Sequence, residues 1–252
     1  DGIDATGFRA LYDDLSTVGD VTAVAPTDDQ SAVGRQLSRS VSVAEHELGY
    51  EVAGTPADCV IAGLEVLVPE TDLVVAGCNE GANLGAYVLG RSGTVSAAVE
   101  SAFFDVPAIA VSLYVPNDGD VTFGDVEVDY DSYAEATRAA THLAEHALGA
   151  GVFDSAEYLN VNAPPAAGGD AEMAITRPSL VYRMRAHHDG GRIELEDEIW
   201  ELLSTGSIPD EPGTDRHAVV DGKVSVSPLT APHTTERHDA LDDLAAAYPM
   251  PE

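Results

Sequence analysis

The apolar run Leu73-Val74-Val75-Ala76 leads directly into Gly77-Cys78-Asn79-Glu80-Gly81-Ala82-Asn83-Leu84-Gly85, and Arg91-Ser92-Gly93-Thr94-Val95 then opens a helical stretch over 95–104. Few folds accommodate this succession of a buried strand, a glycine-spaced loop and a helix start. It belongs to α/β architectures, where the loop lies at the carboxyl end of a parallel strand. Glycines let backbone approach a ligand closely. A helix start offers free N–H groups and the positive end of the dipole, both suited to a phosphate. Asn79 and Asn83 add neutral oxygen and amide groups that suit a hard cation or ligand hydroxyls. The region reads as a site for a phosphate and a metal. Ser92 and Thr94 also read as helix caps, a role compatible with phosphate contact.

The flanking sequence repeats the alternation. Phe8, Leu11, Tyr12 and Leu15 share one face of a helix predicted over 7–16, and a strand over 21–26 ends at Pro26. Thr55-Pro56 marks the start of a helix over 56–66, with Thr55 as cap and Pro56 in the first turn. Asp58 follows as part of that helix start rather than as a site residue. A strand over 107–113, a long helix over 131–149 and a strand over 158–163 complete the pattern, which implies a parallel sheet covered on both faces. The expected fold is three-layer α/β/α with a mainly parallel, Rossmann-like sheet and a C-terminal β-hairpin extension. Residues 1–165 form the core. Residues 166–252 form an extension, with a strand over 175–185, a hairpin turning at Asp221-Gly222 and a closing helix over 240–248. A doubly wound fold normally opens with a central strand, yet nothing apolar precedes Asp1-Gly2-Ile3. A first strand is therefore expected upstream.

Acidic residues outnumber Lys and Arg 44 to 12, for a formal net charge of −32, and Lys223 is the sole lysine. The acids are scattered among apolar positions, which argues against disorder and for a globular protein adapted to high salt. At ~1 M salt the Debye length is about 3 Å, and self-repulsion is screened. Nucleic-acid binding needs a basic footprint that is missing. No apolar run is long enough to span a membrane. Cys59 and Cys78, far apart and each in or beside an apolar run, make neither a disulfide framework nor a zinc cluster, and a reducing cytoplasm is the expected setting.

Other motifs are weaker. His142-Leu143-Ala144-Glu145-His146 spells the H-x-x-E-H of some zinc proteases, but no third ligand follows and a solvated helix face is the plainer reading. His187-His188, His217 and His233 carry no assignable role. The glycine loop lacks G-x-G-x-x-G, and Lys223 lacks the surroundings of a Walker A lysine, which removes dinucleotide-binding and P-loop folds.

In order, Asp1-Gly2-Ile3, Asp29-Gln30-Ser31-Ala32-Val33-Gly34, Gly54-Thr55-Pro56-Ala57-Asp58, the Gly77 to Gly85 loop, Ser92-Gly93-Thr94-Val95 and Pro107 to Ser112 resemble the SurE family of 5′/3′-nucleotidases. Asn160-Val161-Asn162, Thr214-Asp215 and Val224 to Leu229 extend the likeness over nearly the whole chain. The resemblance implies removal of phosphate from nucleoside monophosphates with one divalent cation, Mg²⁺ or Mn²⁺, held by two adjacent aspartates, a serine and an asparagine. Asp1 stands for the second aspartate, Ser31 for the serine and Asn79 for the asparagine; the first aspartate has no counterpart. It also implies catalytic roles for Asp1 and Asn79, phosphate contacts from Asn83, Ser92, Gly93 and Thr94, and a C-terminal arm that builds a homodimer or homotetramer. Without the first aspartate, a non-catalytic nucleotide-binding or assembly module is the alternative. Arg91 is the basic residue nearest the phosphate turn, its direction open.

Overall fold

The computed structural model describes residues 2–115, 128–166, 171–234 and 239–248. In chain order the elements are α1 (Thr6–Leu15), β1 (Ala23–Pro26), β2 (Val43–His46), β3 (Gly49–Val52), α2 (Pro56–Ala62), β4 (Val74–Glu80), α3 (Ala86–Leu89), α4 (Gly93–Phe103), β5 (Ala108–Leu113) and α5 (Ala134–His146). There follow β6 (Tyr158–Ala163), β7 (Met173–Ile175), β8 (Met184–Asp189), β9 (Arg192–Asp197), α6 (Ile199–Ser204), α7 (Asp215–Val220), β10 (Val224–Leu229) and α8 (Asp239–Ala246).

Among the described residues, a five-stranded sheet runs in the order β4-β5-β6-β10-β7. β4, β5 and β6 are mutually parallel; β10 lies antiparallel to β6 and parallel to β7. β5 and β6 are buried at every position, as expected of strands covered on both faces. Leu11 and Leu15 of α1 and Ala136, Ala139 and Ala140 of α5 pack against Ile109, Val111 and Val161 on one face. Val95 and Ala98 of α4 cover Ala108 and Ala110 on the other. Alanines on the inner faces of both α4 and α5 keep the helices close to the sheet.

A smaller sheet, β1-β3-β2, flanks the larger one. β1 and β4 are not hydrogen-bonded to each other, and a cleft of about 590 Å³ separates them, lined by Phe8, Leu11, Val24, Cys59, Val60 and Val75. The β2–β3 hairpin was not legible in the sequence, because its turn, Glu47-Leu48, lacks the Asn-Gly or Asp-Gly pair that marks such turns.

The expected α/β architecture and C-terminal hairpin are present, but the hairpin is β8–β9, turning at Gly190-Gly191 rather than at Asp221-Gly222. Residues 215–220 are helical, and Asp221-Gly222 ends that helix. Gly222 adopts φ +73°, Gly222 N–H bonds Val219 C=O at 3.0 Å, and Lys223 N–H reaches Ala218 C=O at 2.9 Å. A left-handed glycine serves a hairpin turn and a helix C-terminus equally, so the dipeptide does not separate them. Through β7 and β10 the segment 166–252 contributes to the main sheet as well as to the hairpin. Among the described residues no helix is long and apolar enough to cross a membrane.

Candidate active site

The site begins at the carboxyl end of β4. Ala76 pairs with Ala110 but Asn79 pairs with Ser112, so one extra residue enters β4 at Gly77-Cys78. Such a bulge re-aims the residues beyond it. Asn79 lies at the end of β4, where its Nδ2 donates to Gly81 C=O. The loop is then drawn into the sheet. Gly81 N–H bonds Leu113 C=O at 3.1 Å, and Leu84 is buried in a cluster with Ile199, Leu203 and Val219.

Asn83 lies inside this loop. Its N–H donates to Asn162 Oδ1 at 2.7 Å, its Nδ2 to Ser112 Oγ at 2.8 Å, and its C=O accepts from Asn160 Nδ2 at 2.9 Å. Asn83 is buried, and one of its two amide donors is committed to Ser112. In this geometry it ties the loop to β5 and β6.

The second wall is the amino end of α4. Ser92 Oγ accepts from Val95 N–H at 3.1 Å, the expected cap. The N–H groups of Gly93 and Thr94, first in the helix, have no acceptor one turn back and form the electropositive end of the dipole. The loop after β1 rests on this helix start. A Cβ on Gly93 would lie 3.4 Å from Gln30 C=O and 3.1 Å from Pro56 Cγ, and Gly34 N–H bonds Arg91 C=O at 3.0 Å. Ser31 is therefore carried to the same end of the molecule, where its Oγ donates to the Asp29 carboxylate at 2.9 Å. Arg35 anchors the loop from behind, bonding the buried Glu100 carboxylate of α4 at 2.7 and 3.1 Å. A cavity of about 100 Å³ between β1 and β4 is lined largely by apolar side chains such as Val24, Val60, Val74 and Ala97; Pro26, Pro56, Asn79 and Thr94 also border it, so the end of β1, the end of β4 and the start of α4 meet at one space. Gly2 packs on the Pro26 and Thr27 carbonyls beside it. Asp1 lies outside the described residues.

Several alternatives are closed by environment. Burial pushes the Cys59 thiol up to about 12 and the Cys78 thiol higher still, so neither is a thiolate nucleophile near neutral pH. Asp58 is a structural group, as expected. It forms a capping box with Thr55, and its oxygens accept from Ser38 N–H and Thr55 N–H, both at 2.9 Å. Burial raises its pKa, but those N–H groups outweigh burial and leave it below the ordinary value. His142 and His146 meet edge to face on the exposed side of α5, and among the described residues no three metal-binding side chains cluster. Arg91 is not aimed at the phosphate turn. Its guanidinium lies 3.9 Å from the centre of the Tyr87 ring and donates to Tyr87 C=O at 2.7 Å.

The dipeptide Asp215-Arg216 acquires a role the sequence did not reveal. Asp215 Oδ2 accepts from Gly85 N–H at 2.6 Å, and Oδ1 accepts from Ser179 N–H at 2.9 Å. Burial pushes its carboxyl above the usual value, opposed by the N–H groups of Gly85, Ser179 and Arg216 and by the Arg216 charge. Arg216, only 1% exposed, donates to Val181 C=O at 2.6 Å and to Leu84 C=O at 3.3 Å. Gly85 adopts φ +85°, and a Cβ there would lie 2.3 Å from Arg216 Nη2. The only sequence sign was a Thr-Asp pair with no chemistry of its own.

Comparison with known proteins agrees with the fold. The sequence model of the family described as Survival protein SurE matches residues 1–184. The chain is 67% identical to a protein of Haloarcula marismortui named 5′-nucleotidase SurE, over 98% of this chain and 92% of that one. It is 65% identical to a protein of the same name from Natronomonas pharaonis, over 98% of this chain and 96% of the other. The crystal structure of the SurE protein from Aquifex aeolicus superposes with a TM-score of 0.77 at 29% identity, covering 99% of this chain and 97% of that one.

Proposed function

The chain belongs to the SurE survival-protein family, and from that membership and the site's geometry we infer that it is a 5′-nucleotidase, a phosphomonoesterase acting on nucleoside monophosphates. The observation that carries this reading is the meeting of the β1 end, the β4 end and the α4 start around one cavity. The amino end of α4, where Thr94 borders that space, carries the positive end of the helix dipole and suits a phosphoryl group without any lysine. Ser92 holds this turn in shape by capping it.

The donor set suits a hard divalent cation. Ser31 offers a hydroxyl oxygen, Asn79 a carboxamide oxygen not engaged by the Nδ2 bond to Gly81, and Asp1 a carboxylate, all fitting Mg²⁺ or Mn²⁺ rather than zinc. When bound, such an ion supplies charge neutralisation at the phosphoryl oxygens and lowers the pKa of a water. The bonds from Asn79 to Gly81 and from Ser31 to Asp29 pre-set these side chains. In this reading Asn83 acts through the loop it holds. Because the amide cradle addresses phosphate alone, 3′-monophosphates are substrates as well. A homo-oligomer follows from the exposed Ile193 and Leu195 on β9 and Leu241 and Leu244 on α8, apolar residues suited to contact between subunits.

The test is phosphate release from 5′-AMP and 3′-AMP with Mn²⁺ in molar KCl. Turnover abolished by EDTA is expected. The absence of release from either ester overturns the reading.

A further inference from the structure

We propose that Tyr182, backed by Tyr87 and Arg91, is a stacking platform for the substrate's nucleobase. The proposal rests on the nucleotidase reading and adds to it a specificity-determining side chain. The Tyr87 and Tyr182 rings are stacked with centroids 5.3 Å apart and planes 10° from parallel. Arg91 occupies a position over the Tyr87 ring, 3.9 Å from its centroid. Tyr182 is nonetheless 62% exposed, so with one face against Tyr87 most of its surface remains open to solvent.

Two features separate this stack from a chance surface contact. The first is its place. Tyr87 and Arg91 lie between Gly85 and the Ser92-Gly93-Thr94 turn, and Ser92 N–H folds back to Val88 C=O at 3.2 Å. The aromatic ledge therefore adjoins the turn that addresses phosphate. The second is its rigidity. Ala86, next to Tyr87, bonds Ser179 C=O through its N–H at 2.8 Å. Val181, next to Tyr182, is held at its carbonyl by the buried Arg216. Asp215 bonds Gly85 N–H and Ser179 N–H together, locking the two ring-bearing segments side by side. A ring held this way loses little freedom when a flat ligand stacks on it.

The ligand class follows from the chemistry. A π-face accepts any base, since every base has one. Stacking is independent of net charge, and so persists in high salt on a protein carrying −32, where attraction of an anion by surface charge is absent.

The test compares 5′-AMP with ribose 5-phosphate, which lacks the base, in wild type, Tyr182→Ala and Tyr182→Phe, together with calorimetric titration of adenosine, which lacks the phosphate. For Tyr182→Ala, KM for AMP rises about tenfold and adenosine binding weakens about equally, while KM for ribose 5-phosphate and kcat hold; Tyr182→Phe behaves as wild type. An unchanged ratio of the two KM values, or an equal rise in both, overturns the platform. A change of oligomeric mass by light scattering with that ratio intact assigns the ring to a subunit contact and also overturns it. If wild type releases no phosphate yet binds adenosine in a Tyr182-dependent way, the nucleotidase reading fails and the platform stands; if it releases none and adenosine binding ignores Tyr182, both fall.

Discussion

Asp58 shows how a single side chain holds the site from outside it. Its two oxygens join the start of α2 to the loop that follows Ser31. Because the folded carboxyl titrates below the unfolded one, its stabilisation is complete above the ordinary aspartate value and disappears as pH falls through the lower folded value. Asp58→Asn is predicted to cost about 1–2 kcal/mol at pH 7. For a chain of this size that lowers Tm by roughly 2–8 °C, and the difference from wild type shrinks as pH falls below the ordinary aspartate value. Melting curves across pH check this; a difference that does not shrink under acid conditions contradicts it. Thr55, Asp58 and Ser92 were legible because capping is local, governed by residues three apart. Asn83 and Arg216 were not. Their partners, Asn160, Asn162, Val181 and Leu84, lie far away in sequence, and only the fold supplies them.

The same contrast holds for elements. β6 and the core helices followed from apolar period and turn residues. The position of the C-terminal hairpin did not, because Asp221-Gly222 serves a helix end as readily as a turn. The bulge in β4 was also hidden, since an inserted residue is defined only against its partner strand. Element packing gives a second prediction. Gly85 sits where α3 begins, with a left-handed φ and the Arg216 guanidinium in the space a Cβ would occupy. Gly85→Ala must move a buried, bonded arginine and adopt strained backbone. A loss of about 2–4 kcal/mol is expected by denaturant titration, together with reduced phosphate release. Wild-type stability in this variant would remove the clamp from the account.

At the scale of the whole molecule, charge and assembly of the site dominate. A net charge of −32 with one lysine leaves most carboxylates without a basic partner, so the fold relies on salt to screen repulsion. Tm is predicted to climb by roughly 10 °C or more between ~0.1 and ~2 M KCl, checked by calorimetry; a flat response contradicts the high-salt reading. The order of motifs made the family and the α/β architecture legible from end to end. The division into two sheets is supplied by the fold alone. What the structure adds is that Ser31 in the loop after β1, Asn79 at the end of β4 and Thr94 at the start of α4 are brought to one end of the molecule. Manganese titration followed by electron paramagnetic resonance in molar KCl tests that arrangement most directly. The account predicts one Mn²⁺ per chain, lost in a folded Asn79→Ala protein; absence of binding, or binding untouched by that substitution, contradicts it.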